Sequence, residues 1–79
     1  MKKTNRPAKP KTARELLALN LRLFRVKENV TQEQLAHIAG VNIGYISQIE
    51  TGSRAVSIDI VEKLAHGLGV PITALLTDS

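Results

Sequence analysis

Three residues, Gly40-Val41-Asn42, are all that separates two segments whose apolar spacing is helical, "TQEQLAHIA" and "IGYISQIE". A glycine-bearing turn that short forces two helices to meet at a steep angle, the geometry of a helix-turn-helix. Val41 is apolar and suits the wedge between them. The second helix is barely two turns long and opens with Ile43-Gly44, a weak start, since glycine is the poorest helix former short of proline. A helix that short is not stable in isolation. Its surroundings must hold it, and its sequence must answer to something other than helix stability.

The rest of the chain is also written in helical spacing, with no alternating strand pattern. Thr12 with Glu15, and Thr31 with Gln34, form Ser/Thr-x-x-Glu/Gln signatures that start helices. The expected first helix runs from about Thr12 to Glu28, with Asn29 able to end it in a left-handed conformation. The second covers Thr31 to Ala39 and stops at Gly40. The third covers 43–51 behind the N-cap Asn42, and the fourth runs from Ser57 to about Gly67–Gly69. Pro71 suits the first turn of a short fifth helix, "PITALL". The fold class is therefore an all-α, compact five-helix domain over residues 12–79, preceded by a flexible basic arm at 1–11.

Charge is unevenly placed. Residues 1–14 carry six bases and no acid, whereas residues 15–79 carry five bases against seven acids. The arm, with Pro7, Pro10 and no large apolar side chain, is expected to stay disordered and to add affinity for a polyanion by releasing counterions. The chain has no cysteine, which leaves no disulfide, thiolate metal site or thiol nucleophile. His37 and His66 lack a carboxylate cluster at metal spacing, Ser47 lacks a base to activate it, and no catalytic constellation is present. Neither a metal nor a cofactor is expected. Apolar runs are too short to span a membrane, and the charged N-terminus lacks a signal-peptide core, so a cytoplasmic protein is expected.

At about 100° per residue, Ile46 and Ile49 share one edge of the third helix. Ile43, Gly44, Ser47 and Gln48 share the opposite arc, which is predicted to face outward. On the first helix, Leu17, Leu21 and Phe24 form the stripe for the core, while Leu16, Leu19, Leu23 and Val26 form a second apolar patch. That patch could hold another protein.

The stretch from Leu16 to Leu76, through "TQEQLA", "YISQIETGSR" and "LAHGLGV", resembles the phage-repressor-type (Cro/Xre-like) helix-turn-helix domain. The run "YIS-x-IE-x-G-x-R" also resembles the controller proteins of restriction–modification systems. The resemblance implies a lambda-repressor-like fold and a transcriptional regulator that binds double-stranded DNA as a homodimer on a palindrome, its third helix in the major groove. It places Ile43, Gly44, Ser47 and Gln48 at the bases. It places Gln32, Asn42, Tyr45 and Arg54 at phosphates, and Arg25 with Glu50 in a buried ion pair. Val56, Ile58, Ile72 and Leu76 are the dimer-interface candidates. Ile43-Gly44 departs from the polar readers that many relatives carry there, and shifts direct readout onto Gln48 and Ser47. The acidic body and spare leucines leave a competing expectation, a protein-binding module such as an antitoxin that covers a partner protein.

Overall fold

The computed structural model describes residues 12–78. The basic arm expected over residues 1–11 lies outside the described residues, as does Ser79. Four α-helices follow one another: α1 (Ala13–Lys27), α2 (Gln32–Ala39), α3 (Ile43–Glu50) and α4 (Ile58–Leu68). A 3-10 helix at Ile72–Leu76 closes the described chain.

Each α-helix starts where a side chain can satisfy its orphan N–H groups. The Thr12 hydroxyl accepts from Glu15 N–H at 3.1 Å, and the Glu15 carboxylate accepts from Thr12 N–H at 2.9 Å. Thr31 and Gln34 repeat this reciprocal arrangement at 3.0 and 2.8 Å. Asn42 and Ser57 cap α3 and α4 singly, accepting from Tyr45 and Ile60 N–H.

The helix ends share a second device. Asn29, Gly40, Gly52 and Gly69 all have positive φ. In each case the N–H of the following residue reaches back to a carbonyl five residues earlier: Val30 to Arg25, Val41 to Ala36, Ser53 to Gln48 and Val70 to Ala65. This left-handed closure places the following residue against the helix it ends. Val30, Val41 and Val70 accordingly pack against the core, Val41 as the wedge between α2 and α3.

The core draws on every helix. Leu21, Leu35, Ile46, Ile49, Leu64 and Leu75 are essentially inaccessible to solvent, and Leu17, Val61 and Leu68 join them. On α1 the expected stripe is inward: Leu17 and Leu21 are buried and Phe24 is half-buried against the cluster.

One expectation needs correction. The fifth helix is a 3-10 turn, and Pro71 precedes it as an extended cap residue instead of opening its first turn. The cause is tertiary. Buried Asn20 on α1 donates its side-chain N–H groups to the carbonyls of Leu75 and Thr77, at 3.0 and 2.9 Å. Those bonds pin the tight turn over Leu75. The fourth helix ends within the expected Gly67–Gly69 stretch, running to Leu68 and closing at Gly69.

Gly67, inside the last turn of α4, marks a close approach between helices. A Cβ there would lie 2.7 Å from Cγ2 of Ile38 on α2. An alanine would gain roughly 1 kcal/mol of helix propensity, but overpacking of this kind costs about 1–3 kcal/mol. Ile38, β-branched and helical, has one strongly preferred rotamer, so turning its Cγ2 aside is costly. Gly67→Ala is therefore expected to lower the urea midpoint, and Gly67→Ala/Ile38→Ala to unfold at a higher midpoint than Gly67→Ala alone. Equal midpoints for the single and double variants would show that the contact does not decide the sign.

Candidate nucleic-acid interface

The third helix sits as its periodicity predicts. Ile46 and Ile49 are 0% and 1% exposed and seat α3 on the core, whereas Ile43 is 50% exposed. Gly44, Ser47 and Gln48 are exposed beside it. Gly44 also has a local reason to lack a side chain, since a Cβ would come within 3.3 Å of the capping Asn42 Oδ1.

The angle of α3 is fixed by a charged group at its far end. Arg25 Nε donates to Glu50 Oε2 at 2.6 Å and Arg25 Nη2 to Glu50 Oε1 at 3.0 Å, a fork-to-fork pair. The two side chains are only 14% and 5% exposed. The third guanidinium nitrogen donates to the Val30 carbonyl at 3.0 Å, which ties in the α1–α2 turn. Hydrogen bonding to Glu50 raises the Arg25 pKa above its already high ordinary value, against the opposing effect of burial. Gln32, at the start of α2, donates Nε2 to Glu50 Oε1 at 3.1 Å. One group therefore holds α1, α2 and α3 in register. It also restrains Gln32, whose second amide N–H stays available at the helix N-terminus.

The remaining residues expected at phosphates fall around the outward arc. Asn42 spends its oxygen on the α3 cap. Tyr45 is half-buried, and the Arg54 guanidinium lies over its ring, 4.6 Å from the centroid. Arg54 Nη1 also donates to Gln48 Oε1 at 2.7 Å. Val41, Asn42, Gly44, Tyr45, Gln48 and Arg54 line one open groove of about 460 Å³. The structure thus brings Asn42, Gly44, Tyr45, Gln48 and Arg54 together, with Gln32 tied to the ion pair at the other end of α3. Sequence reasoning missed three contacts here and in the core: Arg54 with Gln48, Gln32 with Glu50, and Asn20 with the C-terminal turn. None follows a helical spacing rule. The closest available signal was Gly52, which turns the chain back over α3.

Two apolar features lie away from this arc. Val56, Ile58 and Leu76 line a common groove with Ala13, Arg14 and Leu17, which Ile72 does not join. On α1, Leu19, Leu23 and Val26 are exposed, while Leu16 is half-buried. His37 and His66 are exposed. Among the described residues, no group of three or more His, Asp or Glu could hold a metal ion, and no helix is long and apolar enough to cross a membrane.

Two short helices joined by a tight turn, with the second seated on one edge and bare on the other, define a helix-turn-helix protein. The chain belongs to the helix-turn-helix family, whose model matches residues 21–75. The Cro/Xre-like resemblance read from the sequence is borne out. A hypothetical transcription factor of Neisseria meningitidis is 40% identical over 63 residues, covering 80% of this chain and 59% of that protein. Control protein C.SmaI of Serratia marcescens is 39% identical over 64 residues, covering 81% and 76%. The chain thus spans less than two thirds of the first of these relatives and about three quarters of the second. Among solved structures, the hypothetical transcription factor NHTF from Neisseria superposes with a TM-score of 0.81 at 38% identity, covering 90% of this chain and 85% of that one.

Because the Arg25–Glu50 pair is almost fully desolvated, removing one partner leaves the other charge buried. Arg25→Ala and Glu50→Ala are each expected to cost roughly 3–5 kcal/mol. Arg25→Met/Glu50→Met is expected to cost much less than the two single changes together. Denaturant melts of the three variants check this, and additive losses would mean that the two side chains act independently.

Proposed function

We propose that this chain is a sequence-specific DNA-binding transcriptional regulator, acting as a homodimer on a palindromic operator. The observation that carries the reading is the bare arc of α3, Ile43, Gly44, Ser47 and Gln48, opposite the buried Ile46 and Ile49. A helix seated on one edge can enter the major groove and read with its N-terminal residues. The relatives named as transcription factors and control proteins support the same reading.

In this reading Ile43 packs on a thymine methyl, Gly44 allows close approach, and Ser47 and Gln48 supply the polar contacts. Gln32, Asn42, Tyr45 and Arg54 position the domain through phosphates, helped by the N-terminus of α2. Residues 12–79 form the binding domain, and residues 1–11 add a salt-dependent, sequence-independent share of affinity. Val56, Ile58, Ile72 and Leu76 join two copies, setting their α3 helices about one helical turn of DNA apart. The protein catalyses no reaction and works in the cytoplasm at the nucleoid. The exposed Leu19, Leu23 and Val26 favour a second reading, in which α1 also holds a protein partner, as an antitoxin would.

Selection from random duplexes, followed by titration at several salt concentrations, tests the proposal. The full chain is expected to enrich a palindrome and to lose affinity steeply with salt, by about 0.9 in log–log slope for each phosphate neutralised. Gln48→Ala is expected to erase the preference at one position of each half-site. An unchanged preferred sequence in that variant would overturn the assignment of α3. Capture of a protein partner by a chain that ignores all duplexes would favour the antitoxin reading.

A further inference from the structure

At the end of α3 the chain does not leave the exposed arc; it folds back onto it. Gly52 takes a left-handed conformation, and Ser53 N–H donates to the Gln48 carbonyl at 3.1 Å. The Thr51 and Ser53 hydroxyls donate to that same carbonyl at 2.9 and 3.2 Å. Arg54 therefore emerges beside the Gln48 side chain. Two contacts then fix its guanidinium. The face rests 4.6 Å above the Tyr45 ring, and Nη1 donates to Gln48 Oε1 at 2.7 Å. Tyr45 is itself half-buried against the core, so the stack rests on a fixed platform.

This changes what Gln48 can read. An unrestrained glutamine reads adenine in the major groove by accepting from N6 and donating to N7. Here the oxygen already faces a cation. The oxygen keeps a second lone pair, but an adenine amino group using it would lie against the guanidinium charge, which disfavours adenine. The Gln48 amide nitrogen keeps both of its N–H groups, and the base edge that offers two acceptors side by side is guanine, with O6 and N7. We propose that Arg54 is a specificity-determining residue that acts through Gln48, holding the carboxamide so that it selects guanine where a free glutamine selects adenine. This rests on the reading of α3 as the helix that meets the bases.

The test compares the full-length wild type with Arg54→Ala and Gln48→Ala, each checked for an unaltered melting curve. In selections from random duplexes, the base under Gln48 is the position whose preference Gln48→Ala erases. Wild type is expected to hold guanine there over adenine by at least about fivefold. Arg54→Ala is expected to switch that one position to adenine, with the other positions unchanged and overall affinity reduced by the lost positive charge. An equal weakening on all sequences that keeps the wild-type base would confine Arg54 to its phosphate role and overturn the proposal. So would adenine, or no preference, at that position in the wild type. A readout without DNA separates this from failure of the DNA reading: the Gln48 side-chain amide resonances are expected to shift in Arg54→Ala. Unmoved resonances would overturn the Arg54–Gln48 contact itself, whereas a shift with no duplex bound by any variant would overturn the DNA reading alone.

Discussion

Everything on the outward face depends on the Arg25–Glu50 pair. Glu50 is the last residue of α3, and Arg25 lies in the last turn of α1. Two parallel N–H···O bonds across that junction restrain rotation of α3 about its own axis as well as its position. Ile46 and Ile49 alone would seat the helix but would resist rolling less. Few apolar pairs could replace a fork that also satisfies the Val30 carbonyl and the Gln32 amide. A helix of eight residues with Gly44 in its first turn gains little from its own hydrogen bonds, so its conformation is imposed from outside. This frees the sequence of its exposed arc from the needs of helix stability. Ile43-Gly44 is tolerated because other residues secure the helix.

A repeated local device builds the frame around that pair. Four helix ends close through a left-handed residue, and at three of them the next residue is a valine that turns inward. At α3 the corresponding residue is Ser53, which stays exposed and bonds back to α3 itself. The one polar substitution in this pattern redirects the chain. After α1, α2 and α4 the backbone is drawn into the core and on to the next element. After α3 it is drawn across the outward face, which delivers Arg54 to Gln48 and Tyr45. The same backbone geometry thus gives a packing plug in three places and an addition to the surface in the fourth.

What could be read from the sequence follows the range of the interactions involved. Both capping boxes, the Asn42 and Ser57 caps and the left-handed Asn29 depend on residues within four positions of each other, and all were legible. The direction of α3 was legible because Ile46 and Ile49 lie on one edge at helical spacing. The C-terminal turn was not, since its 3-10 form depends on Asn20, more than fifty residues earlier in the chain. The packing role of Gly67 was not legible, because the close approach of Ile38 comes from another helix. Gln32 and Arg54 were legible as polar surface positions, but their hydrogen-bond partners were not.

Those partners alter the chemistry attributed to each residue. A glutamine and an arginine considered separately suggest one base reader and one charge for phosphate. Joined at 2.7 Å, they become one surface on which a cation shares the glutamine oxygen and donors predominate. The overall electrostatics of the chain make this matter. Beyond residue 14 the chain carries more acids than bases, so the body offers little general attraction to a polyanion. Discrimination by such a body has to come from a few well-placed donors, each held by a neighbour. Gln32 is held by Glu50, and Gln48 is held by Arg54. Glu50 takes one N–H of the Gln32 amide and leaves the second, whereas Arg54 takes the Gln48 oxygen and leaves the amide nitrogen. Pre-orienting an amide this way reduces the conformational entropy it would lose on meeting a ligand.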